Sequence, residues 1–196
     1  MTTWDGTAIL TTPRLVLRTY RREDLPLFAA LNADPAVMET LGGEPLTREH
    51  SDDIAAWAQE CWEAERIGLL AVARREDDAF LGMCGLHHQR AYPEDLEIAW
   101  RLAHEHWGAG YATEAATAWL DYAFDTLHMP RVISITDRPN VRSLAVMRRL
   151  GMTLDHEAAV EDDGVMFQAL IHSTTSEQWR DMQRRRTGRP PGPTVR

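Results

Sequence analysis

The chain is 196 residues long, 44% hydrophobic and 26% charged, which is enough for one domain with a substantial core. No apolar run approaches the roughly 18 residues a membrane span needs, and the start "MTTWDGTAIL" lacks the basic-then-apolar pattern of a signal peptide. The formal net charge is −9, yet residues 180–196 carry six Arg against one Asp; setting that local +5 aside leaves the body at about −14, which argues against nucleic-acid binding and suits a cationic partner.

Every fixed positive charge is Arg; the chain has no Lys, which excludes Schiff-base chemistry and a P-loop lysine. Cys61 and Cys84 form no CxxC pair and read as reduced, mostly buried thiols of a cytoplasmic protein.

In chain order, "TPRLVLRTY" (12–20) alternates Leu15 and Leu17 with Arg14 and Arg18 and predicts a first strand. Residues 21–35 read as a short helix that ends before Pro35. Thr47 precedes a helical run to about Arg66, with Ile54, Trp57, Ala58, Cys61 and Trp62 on one face. Two strands, 68–76 and 79–88, flank the turn residues Asp77 and Asp78. "LEIAWRL" (96–102) puts Leu96, Ile98, Trp100 and Leu102 on one face and Glu97, Ala99 and Arg101 on the other. Ala112, Ala115, Ala116, Trp119, Leu120, Ala123, Phe124 and Leu127 follow helical spacing. A strand at 131–137 follows, then a helix at 140–151 with Asn140 as N-cap and Gly151 past its end. Strands near 152–160 and 165–172 flank the hairpin turn "EDDG" (161–164). "SEQWRDMQRRR" adds a short helix. We take 1–183 as one α/β domain with a mixed sheet, and 184–196 as a basic, proline-rich tail expected to be disordered.

"HWGAGYATEA" (106–115) joins the strand at 96–102 to the helix after it. A Rossmann fingerprint needs a third glycine where Thr113 stands, and a P-loop needs GK[ST]. The small residues Gly108, Gly110 and Ala112 nevertheless leave the first N–H groups of a helix facing outward, where an anion fits. On the loop alone, a phosphate cradle and a plain tight turn are equally good readings.

"LEIAWRLAHEHWGAGYATEAATAWLDYAF" as a whole resembles the central motif of the GNAT superfamily, the acetyl-CoA-dependent N-acetyltransferases. Trp107 departs from the Gln or Arg that usually heads the loop, as in the subgroup that includes the Rim-type ribosomal-protein N-terminal acetyltransferases. "TPRLVLR" and "NVRSLAVMRRLGM" resemble that subgroup's opening strand and its "NxxS…LGF" helix, with Met152 in place of Phe. The similarity spans roughly 12–180. It implies a GNAT-type α/β (α+β) domain, with about seven strands, about four helices and a sheet splayed between the fourth and fifth strands.

The resemblance implies acetyl-CoA as cosubstrate. Its pyrophosphate would lie on the N–H groups of Gly108, Ala109, Gly110, Tyr111, Ala112 and Thr113, behind Trp107. Its pantetheine arm would pair with the backbone of Trp100, Arg101 and Leu102, with Asn140 reaching it from the neighbouring helix. A bulge near Trp100 would aim a backbone N–H at the oxyanion.

Acetyl transfer to an amine requires removal of a proton, and Glu97, opposite the apolar face of its strand, matches the family's base, acting through water. Its alternative is a polar residue on a half-exposed strand. Met147 stands where many members carry a Tyr acid. Ser143 is the substitute donor to the leaving sulfur, or simply part of the Asn140 cap. Tyr111 faces phosphate and is set aside as the acid. Arg101, Arg142, Arg148 and Arg149 are candidate cations for the cofactor. Trp57 and Trp62 are candidates for an acceptor wall or for core. "HEH" (104–106) with His87 and His88 matches no standard zinc spacing, so no metal is expected.

The expected reaction is direct transfer in a ternary complex. The acceptor is a protein N-terminal amine or a small cationic amine, selected by residues 36–50 and 156–166. No nucleic-acid or membrane partner is expected, and a homodimer is compatible with the fold. Two rivals remain: a non-catalytic coenzyme A-binding module, and a nucleotide binder using the glycine loop.

Overall fold

The computed structural model describes the backbone of residues 4–39, 44–162 and 165–187. The elements are β1 (Ala8–Thr11), β2 (Leu15–Arg18), α1 (Asp24–Ala33), α2 (Pro35–Met38), α3 (Arg48–Glu65), β3 (Gly68–Arg74), β4 (Phe80–Gln89) and β5 (Tyr92–Leu102). A 3₁₀ turn (His104–His106) follows, then α4 (Tyr111–Asp125), β6 (Arg131–Asp137), α5 (Val141–Arg149), β7 (Thr153–Asp162), β8 (Val165–Thr175) and α6 (Ser176–Thr187). The described strands form one eight-stranded sheet in the order β1-β2-β3-β4-β5-β6-β8-β7.

Alternation in the strands sorts side chains onto two faces. Leu15, Leu70, Leu86 and Ile98 pack under Ala116, Trp119 and Phe124 of α4, with Met147 of α5 and Trp179 of α6 completing that layer. On the other face, Tyr20, Leu69, Ala71 and Met83 meet Phe28 of α1 and Ala55 and Ala58 of α3. The 3.6-residue spacing of Ala115, Ala116, Trp119, Leu120, Ala123 and Phe124 is what turns one stripe of α4 to the sheet, and all six are buried.

Among the described strands only β5 and β6 run parallel, and their ladder consists of two pairs, Leu96↔Val132 and Glu97↔Ile133. Beyond that point β5 stays paired to β4 as far as Leu102, and β6 to β8 as far as Asp137. The two strands therefore part while each remains anchored on its outer side. Their facing edges are left open, between the fifth and sixth strands of the chain.

The expected architecture holds, with one more strand and two more helices. β1 is four residues long and only partly buried, too short to show a period. Pro35 ends α1 but also starts α2: Asp34 accepts a hydrogen bond from the Ala36 N–H at 2.9 Å, and proline suits the first helical position. β5 begins at Tyr92 despite Pro93, because the register with β4 shifts between His88 and Gln89 and lets the proline sit in an irregular stretch. α6 continues to Thr187, past the tail boundary placed at 184. Gly164 and Asp163 of the expected hairpin turn, and residues 188–196 of the tail, lie outside the described residues.

Arg18 departs from the exposed position that strand alternation suggests. It is 2% exposed, and its guanidinium grips Asp24, at the start of α1, at 2.5 and 3.0 Å. Asp24 also accepts the Arg21 N–H at 2.7 Å. The pair ties α1 to the strand beneath it. Removing Asp24 leaves the buried guanidinium with the more distant, exposed Asp78 at 3.8 Å, a loss that costs more than the pair contributes. Asp24→Ala should therefore lower stability by about 3–5 kcal/mol in urea unfolding. The double replacement Arg18→Met with Asp24→Leu should recover much of that loss.

Candidate active site

The glycine loop opens α4 with Gly110 as its N-cap. Gly108 and Gly110 sit at φ 77° and 82°, in the left-handed region that glycine enters freely. A Cβ at Gly108 would meet nothing within 4 Å, so conformation and not space calls for glycine there. The helix's first backbone bond runs from Glu114 N–H to Gly110 C=O at 3.1 Å. The N–H groups of Tyr111, Ala112 and Thr113 lie ahead of it, at the positive end of a 15-residue helix.

Arg14, one residue before β2, braces this loop. Its guanidinium donates to Glu114 at 2.6 Å and to the Ala109 carbonyl at 2.9 Å, and lies 4.6 Å from the Tyr111 ring centre. Its backbone N–H and the Thr12 hydroxyl also donate to Glu114, at 2.9 and 2.6 Å. Burial pulls the Glu114 carboxyl up, but these donors outweigh it and hold the group below its ordinary value. A depressed carboxyl contributes stability above its unfolded pKa, so the brace is lost only as pH falls below the usual carboxylate range. Sequence reading missed Arg14 as a site residue, because its partner is 100 positions away.

Trp107 heads the loop. Its indole N–H donates to the Leu102 carbonyl at 2.8 Å, and the tilted His104 ring lies beside it with ring centres 4.7 Å apart. Arg142, on the first turn of α5, lies 4.4 Å above the same ring. Trp107 thus links the end of β5 to the helix that follows β6. Of the other expected cations, Arg149 joins Gly110 and Thr113 in lining a cavity of about 610 Å³. Arg101 turns its side chain to the opposite face, where it donates to Asn32 at 2.6 Å. Arg148 is exposed.

Glu97 sits where β5 and β6 part and is buried. One carboxylate oxygen accepts the Ile135 N–H of β6 at 3.3 Å, and the other accepts the Gln89 side-chain amide at 3.1 Å. His87, its cross-strand partner, approaches that second oxygen at 3.5 Å. The edge of Trp57 on α3 meets His87, with ring centres 6.1 Å apart. Trp57 is exposed at this edge of the site, whereas Trp62 is in the core.

Trp100, Arg101 and Leu102 lie on the open edge of β5. The expected bulge at Trp100 is absent: pairing with β4 runs from Gly85↔Ala99 to Gly82↔Leu102 without a register shift. The splay itself frees that edge, so no bulge is needed. The Leu102 carbonyl already accepts the Trp107 indole. Across the gap, Asn140 caps α5, its side chain accepting the Ser143 N–H at 3.0 Å. Ser143 is half-buried one turn into the helix, and Met147 is buried in the core.

Comparison with known proteins bears on this arrangement. The model of the acetyltransferase (GNAT) domain matches residues 14–153, which include the loop, the splay and α5. The chain belongs to the GNAT acetyltransferase family. The uncharacterized protein YkkB of Bacillus subtilis is 32% identical over 145 residues, 73% of this chain and 84% of that one. Solved acetyltransferase structures share the fold. Spermidine N-acetyltransferase from Vibrio cholerae, in complex with CoA and spermine, has a TM-score of 0.69 at 19% identity, covering 86% of this chain and 99% of that one. RimL, a ribosomal L7/L12 α-N-protein acetyltransferase, has a TM-score of 0.72 at 15% identity, covering 87% and 94%.

GNAT enzymes transfer acetyl groups from acetyl-CoA to amines, so this chain is an acyltransferase. The outward N–H groups of the glycine loop and the open edge of β5 are donor sets suited to a pyrophosphate and to an amide-bearing arm. Gly110→Val should weaken coenzyme A binding by at least tenfold in calorimetry, since a β-branched residue at φ 82° is strained by roughly 1–2 kcal/mol or more. Arg14→Ala should raise the same Kd by about three- to tenfold by loosening the brace, with the melting temperature nearly unchanged.

Proposed function

We propose that this enzyme transfers the acetyl group by direct attack of a primary amine on acetyl-CoA in a ternary complex. The observation that carries the reading is the buried Glu97 carboxylate at the parting of β5 and β6, oriented by Ile135 and Gln89. Held there, Glu97 serves as general base for the attacking amine through a water molecule. The N–H groups from Gly108 to Thr113 hold the pyrophosphate. Trp100 to Leu102 and Asn140 hold the pantetheine arm. Arg142 and Arg149 supply the cations that Arg14, neutralised by Glu114, does not.

Neither thiol suits a covalent acyl intermediate. Burial pushes the Cys84 thiol far up, and burial together with Glu65 and Glu60 raises Cys61, so both stay protonated. Met147 offers no proton. The Ser143 hydroxyl is the nearest replacement as donor to the departing sulfur, although the Asn140 cap alone accounts for its spacing.

The acceptor is a cationic amine, either a protein N-terminus or a small molecule. The acidic body supports this, as does Asp137, whose buried Oδ1 has no hydrogen-bond partner. Asp137 lies two positions beyond Ile135 on the same face of β6. The names of the two structural neighbours cover both kinds of acceptor, spermine and a protein α-amine. Residues 40–43 and 163–164, within the stretches expected to select the acceptor, lie outside the described residues. A cytoplasmic setting would keep both free cysteines reduced.

The test is thiol release from acetyl-CoA against a panel of polyamines, amino acids and N-terminal peptides. Activity with one of these classes is expected. Tight coenzyme A binding with no release across the panel would instead favour the non-catalytic module. With an active amine, Glu97→Gln should lower kcat by about 10²–10³ and flatten the pH–rate profile while leaving coenzyme A affinity within about twofold.

A further inference from the structure

His87 faces Glu97 directly across the β4–β5 ladder, with Nε2 3.5 Å from the carboxylate oxygen that Gln89 also holds. Its Nδ1 lies 3.1 Å from the His88 carbonyl. A carbonyl only accepts, so in this geometry Nδ1 carries the hydrogen. A neutral ring then turns the bare lone pair of Nε2 toward a carboxylate. A proton that reaches the carboxylate can then lie between the two, so the pair is built to take up a single proton. Around the imidazole stand Glu97 from β5, the Trp57 ring edge from α3, and the His88 carbonyl from its own strand. The His88 side chain is engaged elsewhere, with Glu65 at 2.9 Å.

Exposure rises along this line of groups. The side chain of Glu97 is 8% exposed and that of His87 17%, and Trp57 beyond them is 42% exposed. We propose that His87 is the proton exit of the transfer reaction, a relay that acts through Glu97 without touching the acceptor. The proposal rests on the reading of Glu97 as the base. As the amine nitrogen forms its bond to the acetyl carbon, the carbon–sulfur bond breaks and its electron pair leaves on the thiolate. The amine's proton passes through water to Glu97 and on to His87 Nε2. The imidazolium returns one proton to bulk solvent, and the thiolate takes one from solvent. Nothing is oxidised or reduced, and Glu97 is restored as a carboxylate for the next turnover.

The experiment uses the full chain carrying His87→Ala and His87→Gln, with an amine active in the thiol-release assay. Both variants should lower kcat by roughly tenfold, with acceptor KM and coenzyme A affinity within about twofold. Added imidazole should restore the rate of His87→Ala in a concentration-dependent way, which a packing defect would not show. Nitrogen-15 NMR of the unliganded protein should find His87 with hydrogen on Nδ1, and its titration should move in Glu97→Gln. A wild-type rate and pH profile in His87→Ala beside a slow Glu97→Gln removes the relay and leaves the base. A wild-type rate in Glu97→Gln removes both. An Nε2–H tautomer indifferent to Glu97→Gln overturns the shared proton whatever the kinetics.

Discussion

The structure turns on a parallel ladder that stops after two pairs. A strand edge with unpaired N–H and C=O groups is costly when it is buried. This fold keeps such an edge because β5 and β6 are each held from outside, by β4 and by β8. Antiparallel pairing on the outer flanks lets the inner edges separate without unravelling the sheet. At the point of parting, Glu97 takes the Ile135 N–H, a donor that a continued ladder would have used. One side chain therefore closes the end of the ladder and places a carboxylate at the head of the open gap.

The second constraint is the turn from β5 into α4. Two left-handed glycines let the chain enter the helix with its first N–H groups facing outward. The turn is held by contacts from elsewhere in the chain: Arg14 and Glu114 brace it on one side, and Trp107 bonds the end of β5 while Arg142 stacks on it from α5. The loop and the gap are thus fixed to the same strand and framed by α4 and α5. The opposite face of β5 carries Glu97 and is shared with His87 and Trp57. The glycine loop and the Glu97 carboxylate therefore stand on different sides of one sheet.

Much of this was legible in the order of residues. Helical spacing from Ala112 to Phe124, the alternation of 96–102, the Asn140 cap and the Gly108–Gly110 turn are local patterns, set by neighbours within a few positions. Short or irregular pieces were not legible. β1 has too few residues to display a period, and Pro93 argues against a strand until the register shift beside it is known. The bulge expected at Trp100 was unnecessary, because topology opens the edge that a bulge would have opened.

The sequence by itself determined the alternation of strands and helices, the two-glycine turn that opens α4, and Glu97 as the carboxylate opposite an apolar strand face. Such features follow from backbone sterics and periodicity, which act over a turn or two of chain. Only the tertiary structure decided that Arg18 is buried against Asp24, that Arg101 turns to Asn32 and away from the loop, that Arg14 braces a helix 100 residues on, and that His87 meets Glu97. Those pairings depend on strand order and register, and these are set by the burial of many distant side chains at once.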